Sequence, residues 1–412
     1  MKPPAAGAAP GPTRVVLARG KSKPFWVGHP WVFSGAIAEI TGNGAPGECV
    51  VIDERGNELA WGHFNPLGQI AVRLLWHRRT TDLPYAPPSF TSILKDRIAA
   101  AHALRTTLGL PREGTDVYRL VNAEGDLLTG LIVDRLGDVL SVQLNSRAMY
   151  DAREKVVAAL RAATGLTRFV VSVTETASKM EGIPVEQELV GFPPDGDTRV
   201  EVAESGVRYV IDLDHLQKTG FYADQRDNRA RFGALCAGKT VLDAYCHLGG
   251  FGLAAAKAGA TSVVQVDSSE PVILGARVAA RMNGVGDRCE ALTEDAVIYL
   301  KEAQAIGRTW DRVIVDPPKL AQGRGHIEDA LQKYARINAL AMAAVAPGGL
   351  LLTCSCSRHV SPDEFGRMLT DAGHRLRRSV RLVEMWGQPA DHPTLTVAPE
   401  GRYLKAWVVA LD

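Results

Sequence analysis

Apolar positions along this chain follow three different rhythms. From Val15 to about Arg79 they come in short runs broken by glycine, such as Glu48-Cys-Val-Val-Ile-Asp53 and Gln69-Ile-Ala-Val-Arg-Leu-Leu-Trp76. Such β-rich runs with turn residues between them predict a small barrel. Within it, Trp31 and Phe33 are expected in the core, because large aromatics in a small barrel are mostly buried. Leu83-Pro-Tyr-Ala-Pro-Pro88 then breaks the pattern and marks a boundary. From Phe90 to about Pro194 helical and strand periods mix. Ile93 to Leu108 and Glu154 to Ala163 read as helices, and Thr129 to Gly137 with Val139 to Leu144 reads as a hairpin around a Leu-Gly-Asp turn. After Pro193-Pro-Asp-Gly196, strands alternate with helices to the end, as a doubly wound sheet requires. The expected fold class is therefore α/β: a Rossmann-like domain over 195–412, preceded by a small β-barrel over 13–82 and an α+β domain over 89–194. No internal repeat is evident.

Strand ends carry the chemistry. Lys239 to Asp243 is an apolar strand ending in a carboxylate, followed by Ala244-Tyr-Cys-His-Leu-Gly-Gly-Phe-Gly252 and a small-residue helix from Leu253 to Ala258. Glycines there let a ligand approach the backbone where a helix begins. The next strand, Ser262 to Val266, closes with Asp267, 24 residues beyond Asp243. An acidic group at that spacing suits the two hydroxyls of a ribose. The spacing also fits NAD, but the full GxGxxG cradle for a pyrophosphate is lacking, and the later strand ends favour S-adenosylmethionine. Glu294-Asp295 after the third strand either meets an adenine or simply opens a helix.

Two further strands end abruptly. Val313-Ile-Val-Asp-Pro-Pro-Lys319 stiffens its exit with two prolines, and Gly348-Gly-Leu-Leu-Leu-Thr-Cys-Ser-Cys-Ser357 ends in thiols and hydroxyls. In an open parallel sheet ligands sit beyond the carboxyl ends of the strands, so a thiol and a carboxylate face one crevice. Residues two apart on a strand share a face, and parity cannot choose between Cys354 and Cys356. Position favours Cys356, which lies between serines beyond the apolar run, whereas Cys354 adjoins it as a small hydrophobe. Cys246 in the glycine-rich turn reads as packing, and His247 reads equally as a loop residue near the cofactor or as a structural one.

Taken together, Asp243-Ala-Tyr-Cys-His-Leu-Gly-Gly-Phe-Gly252, Lys218-Thr-Gly-Phe-Tyr-Ala-Asp-Gln-Arg-Asp-Asn228, Asp316-Pro-Pro-Lys319 and Ser355-Cys-Ser357 resemble the bacterial large-subunit ribosomal RNA cytosine-5 methyltransferases that carry an N-terminal PUA domain. Gly28-His-Pro-Trp-Val-Phe-Ser-Gly35, Ala390-Asp-His-Pro393 and Glu400-Gly-Arg-Tyr-Leu-Lys405 extend the resemblance over nearly the whole chain. It implies a class I S-adenosylmethionine-dependent methyltransferase with Cys356 as the nucleophile and Asp316 at the target base. Phe221, Tyr222, Asp224, Gln225, Asp243, Tyr245, Gly249, Asp267, Asp295 and Asp316 are then expected near the cofactor. The middle domain is expected to shape an RNA groove, although its own sequence carries no chemistry, and Thr176-Ala-Ser-Lys179 lacks the arginines expected there.

Composition narrows the picture less. The chain has 412 residues, 46% of them hydrophobic, and a formal net charge of +1, so RNA contact requires a local basic surface. Residues 1–79 hold nine Lys and Arg against five Asp and Glu. Arg19, Lys21 and Lys23 are expected to hold phosphates, with Lys319 at the crevice also facing RNA. Lys319, Arg358 or nearby helix N-termini would favour a thiolate, since an unperturbed cysteine has a pKa of about 8.5. Six cysteines show neither CxxC nor zinc spacing, so no metal is expected and a reducing cytoplasm is. The first twelve residues lack the apolar stretch of a signal peptide and read as a disordered tail, and no run is long enough to span a membrane. Ribosomal RNA is the expected partner, and a homodimer is compatible with it. Two other classes are weighed: an RNA base N-methyltransferase, disfavoured because Lys319 stands where an aromatic would stack the base, and a non-catalytic RNA-binding assembly factor.

Overall fold

A computed structural model describes residues 13–78, 87–193, 196–214, 220–321 and 324–412. The tail at 1–12, most of the proline-rich connector, Pro194-Asp195 and Lys218-Thr219 of the second motif lie outside the described residues.

The C-terminal sheet is numbered here by its own strands: β1 (Thr240–Ala244), β2 (Ser262–Asp267), β3 (Cys289–Thr293), β4 (Trp310–Val315), β5 (Val345–Ser355), β6 (Val380–Trp386) and β7 (Lys405–Leu411). Their spatial order is β3-β2-β1-β4-β5-β7-β6, with β1 to β5 parallel and β7 antiparallel to both its neighbours. The order reverses between β1 and β4, which is where such sheets open a crevice. Alternation then sorts side chains between two buried layers. Val241, Val263, Ile314, Leu352 and Val408 join one core cluster. Leu242, Val264, Val313, Leu351 and Val409 join the other, under the helices Ala296–Ala305, Ile327–Ala343 and Pro362–Arg375. By the same parity Asp243, Asp267, Asp316, Cys354 and Cys356 all belong to the first face.

Five strands make the middle sheet, in the order Glu186–Val190, Arg168–Val173, Val139–Leu144, Leu131–Leu136 and Val117–Asn122. Leu131–Leu136 and Val139–Leu144 pair antiparallel, the hairpin expected from sequence. The helices Phe90–Thr107 and Arg153–Thr164 cover one face through Leu94, Ile98, Val156 and Leu160. The opposite face carries Asp134, Ser141 and Gln143, all buried although polar, because the C-terminal region lies over it. Buried ion pairs fasten this junction. Both Asp391 oxygens accept from Arg226 at 2.9 Å, the Asp391 carboxylate also accepts from the Arg119 N–H at 2.8 Å, and the Asp391 carbonyl accepts from Arg105 at 2.7 Å. Burial alone would raise the Asp391 pKa, but His392 and Arg226 hold it well below the ordinary carboxylate range.

The N-terminal sheet has six strands, with Trp31–Phe33 and Ile37–Thr41 at its two ends. Those ends are joined by only Ser34–Ala36, so the sheet curls round Val15, Leu17, Phe25, Val51, Phe64 and Val72. The barrel is closed by chain connection and not by a hydrogen-bonded ladder between the two end strands. One expectation fails here: Trp31 and Phe33 are outside the core, with Phe33 42% exposed and Trp31 half-buried. The end strand they occupy faces the rest of the molecule, and the Trp31 indole donates to Glu124 of the middle region at 3.0 Å.

Candidate active site

The turn after β1 is tightly wound. Tyr245, His247 and Gly249 have φ of +63°, +51° and +78°. Left-handed non-glycine residues cost about 1–2 kcal/mol each, strain that folds keep chiefly at functional sites. Gly249 is required for space as well as conformation: a Cβ there would lie 2.3 Å from the Gln265 amide nitrogen, which donates to the Gly249 carbonyl at 3.0 Å. Beyond the turn, the Gly252 N–H donates to Asp243 Oδ2 at 2.8 Å. Asp243 Oδ1 is buried and has no partner among the described residues. Burial pushes this carboxyl up to about 7, with the charges of Asp316 and Asp267 adding to the shift. Asp267, at the exit of β2, accepts from the N–H groups of His247 and Ser269, each at 3.0 Å. These bonds fix the carboxylate while leaving lone pairs for a further donor. His247 packs edge-on against Tyr222, with ring centroids 4.9 Å apart.

Asp295 caps the helix Ala296–Ala305, accepting from Val297 and Ile298, so the bland alternative for this acid is at least part of its role. Tyr245 stands beside it, and burial pushes its hydroxyl up to about 12 with Asp295 contributing. Phe221 is buried, 5.0 Å from the Tyr209 ring and under the Arg229 guanidinium. Arg229 is bonded to Glu204 and to the Tyr222 carbonyl, so it sets the height of the Phe221-Tyr222 segment over the sheet. Nothing in the sequence marked Arg229, because an arginine on a polar helix reads as solvated.

On the β4 side, Gln225 donates to Asp316 Oδ2 at 3.0 Å and accepts from Asn228 at 2.7 Å. Val315 pairs with Thr353, which brings the Asp316 exit beside the two cysteines. Cys354 is fully buried, and desolvation, reinforced by Asp316, raises its thiol well above the ordinary value. Ser355 and Ser357 are also fully buried, both bonded to the Tyr334 hydroxyl, at 3.1 and 3.0 Å. Holding both flanking serines inward turns Cys356 outward, where it is half-buried and lines a cavity of about 430 Å³. Tyr222, Asp224, Lys319 and Arg358 share that wall, and Asp224 accepts from Tyr403 at 2.7 Å. Lys319 and Arg358 are exposed, and the buried cation of this segment is Lys405. Its Nζ donates to the carbonyls of Ser357, Val360 and Tyr403 at 2.8 to 3.0 Å, tying down the segment that follows Cys356. Burial lowers Lys405 to about 8, against the charges of Cys356 and Glu364. Its motif was legible in the sequence, but its bonds to the segment after the thiol were not.

Arg19, Lys21 and Lys23 are exposed, in the turn after the strand Thr13–Leu17 and at the start of the helix Lys23–Trp26, and do not line the cavity. Among the described residues no group of His, Cys, Asp and Glu is arranged to hold a metal, and no helix is long and apolar enough to cross a membrane.

A doubly wound sheet whose strand ends at the switch point carry Asp243, Asp267 and Asp316, with a thiol at the adjoining exit, suits a protein that binds a nucleotide-like cofactor. Residues 188–408 match the S-adenosylmethionine-dependent methyltransferase family, and residues 15–76 match the PUA-like domain. The chain is 36% identical over 400 residues to a ribosomal RNA large subunit methyltransferase I of Photobacterium profundum, and 34% identical over 401 residues to that of Cronobacter sakazakii. Each comparison spans 96% of this chain and 98% of the relative. A methyltransferase solved in complex with SAH has the same fold, with a TM-score of 0.82 at 17% identity over 96% of this chain and 99% of that one. The chain belongs to the family of S-adenosylmethionine-dependent methyltransferases with an N-terminal PUA-like domain, alongside these ribosomal RNA large subunit methyltransferases I. S-Adenosylmethionine is its cofactor, and the site fits it. The partnerless Asp243 oxygen suits a cationic group, the Gly249 turn gives close backbone approach, and Asp267 presents lone pairs to a ribose.

Proposed function

We propose that this protein methylates carbon 5 of a cytosine in large-subunit ribosomal RNA, with Cys356 as the covalent nucleophile. The observation that carries the reading is the contrast between two thiols two residues apart: Cys354 sealed and held protonated, Cys356 turned into the cavity beside the Asp316 exit. Bound S-adenosylmethionine supplies an electrophilic methyl group. The Cys356 thiolate adds to carbon 6 of the ring, and the electron pair this releases makes carbon 5 nucleophilic. After alkylation carbon 5 loses its proton, and the carbon–sulfur bond breaks to return the thiolate and the aromatic ring. Asp316, which accepts from Gln225, is assigned to stabilise the protonated ring nitrogen. Asp243, Asp267, Tyr222, Tyr245, Gly249 and Asp295 are assigned to the cofactor side, with Phe221, Asp224 and Gln225 shaping the wall between cofactor and base.

Arg19, Lys21 and Lys23 are assigned to RNA phosphates, and Lys319 to the RNA at the crevice mouth. The substrate places the enzyme in the cytoplasm. A homodimer is compatible with the reading and not needed by it, since one chain supplies every residue named. The test is methyl transfer to ribosomal RNA from cells lacking the protein, with bisulfite sequencing to locate the product. Cys356→Ala is expected to abolish transfer and trapping on 5-fluorocytidine RNA while cofactor affinity is unchanged, and Cys354→Ala to retain much of both. Near-normal turnover by Cys356→Ala would remove the covalent mechanism.

A further inference from the structure

One row of the middle sheet borders the cavity through Asn122, Ile132 and Gln143. In register, Asn122 lies opposite Ile132, Ile132 opposite Gln143, and Gln143 opposite Ser172, so these side chains cross the sheet on the face away from its helices. Asn122 is committed: it donates to the Pro393 carbonyl at 2.8 Å and accepts from Arg119 at 2.8 Å. Gln143 is not. It is 6% exposed, its Nε2 has no hydrogen-bond partner among the described residues, and it borders the same cavity as Cys356. A buried amide donor without a partner destabilises a fold, and Met at this position would fill the space without that penalty. A glutamine there makes physical sense when something entering the cavity completes its bonds.

Trp31 borders the cavity from the N-terminal region. Its N–H is tied to Glu124, and its ring meets those of His29 and Phe33 edge-to-face, with centroids 6.0 and 6.1 Å away. Glu124 belongs to the turn Ala123–Asp126, which starts at Ala123 with φ +43° and is closed by Leu127 with φ +59°. Two strained residues thus hold the acid that orients the indole. An oriented aromatic face and an unmatched amide on one cavity are the elements with which proteins recognise unstacked bases, the ring taking a base face and the amide its edge.

We propose that Gln143 and Trp31 form a second nucleobase subsite beside Cys356, in which Trp31 stacks on the base adjoining the target and Gln143 hydrogen-bonds its edge. The middle and N-terminal regions then set the sequence context in which a target is accepted. This rests on reading the cavity as the RNA site. The test uses the full chain and RNA fragments spanning the methylated position, with each neighbouring nucleotide replaced in turn, read as kcat/KM for labelled methyl incorporation. Gln143→Met should lower kcat/KM on the preferred neighbour by about 3- to 10-fold, level the discrimination among neighbours, and leave cofactor affinity and melting temperature at or above wild type. Trp31→Ala, at a half-buried rim position, should lower it by about 5- to 150-fold whichever base adjoins the target. Wild-type rates and discrimination in both variants would overturn the subsite, as would a Gln143→Met protein that loses cofactor affinity in step with activity. The readout is methyl incorporation, so it still judges the subsite if Cys356→Ala stays active and the covalent reading fails.

Discussion

Replacing Asp243 by Asn should make the cofactor-free protein more stable and a worse methyltransferase. Asp243 is 1% exposed, and one of its oxygens has no partner among the described residues. Its pKa is raised from 3.8 to about 7, first by burial and then by Asp316 and Asp267, while the Gly252 N–H and Arg229 oppose the shift. A carboxyl whose folded pKa lies above its unfolded value contributes stability below the unfolded pKa and loses it as pH rises through the folded one. At 1.36 kcal/mol per unit, the loss approaches about 4 kcal/mol at neutral pH, of which about 2–3 kcal/mol falls between about pH 5 and pH 8. Asparagine keeps an oxygen for Gly252 and carries no charge. Urea unfolding of the cofactor-free protein should therefore show Asp243→Asn level with wild type near pH 4 and several kcal/mol more stable near pH 8. Calorimetry should show the opposite for binding, with S-adenosylmethionine affinity lower by about 10- to 150-fold, the worth of a hydrogen bond to a charged group. In wild type that affinity should rise with pH through about 7, because the cationic cofactor favours the ionised carboxylate. A variant with unchanged affinity would make Asp243 a packing group, and one with the wild-type pH profile would mean the carboxylate is already ionised in the fold.

Asp267→Ala should weaken S-adenosylmethionine by roughly 10- to 150-fold in calorimetry, since it removes an acceptor held in place by two backbone N–H groups. An unchanged constant would take it out of the site. Replacing Arg19, Lys21 and Lys23 together by Ala should weaken RNA binding across sequences and reduce the log–log salt slope by about 0.7 to 0.9 per lost phosphate contact, without touching cofactor affinity. An unaltered slope would move the RNA surface to the middle region and the crevice. Arg226→Met leaves Asp391 charged and buried, and should cost about 3–5 kcal/mol of stability by denaturant unfolding. A loss below about 1 kcal/mol would show that Arg119 and His392 suffice to hold that charge.

What the chain settled by itself is what local pattern and strand polarity settle. Alternating strands and helices from Thr240 to Ser355 required a doubly wound sheet, and Asp243, Asp267, Asp316 and Cys356 stand at the carboxyl ends of four of its strands, whereas the alternation expected from Gly196 onward is broken by the separate hairpin Arg199–Glu204 with Val207–Asp212 and by the antiparallel pair β6 and β7. That Cys356 would be the more accessible of the two thiols also followed from position, and the two serines drawn inward to Tyr334 that leave it so became visible only in three dimensions. Tertiary structure decided whatever depends on partners distant in sequence. Lys405 reaches the cysteine segment from 49 residues away, and Arg226 meets Asp391 across 165. Trp31, expected in a core, stands at the cavity rim because Glu124, 93 residues on, takes its N–H. Gln143 looked like one polar position on a strand, and only the packing of the C-terminal region over that sheet face buries it at the cavity that Cys356 also lines. Periodicity fixes which side of an element a residue occupies, whereas the identity of what covers that side is set by the packing of separate regions, for which a single sequence carries no local signal.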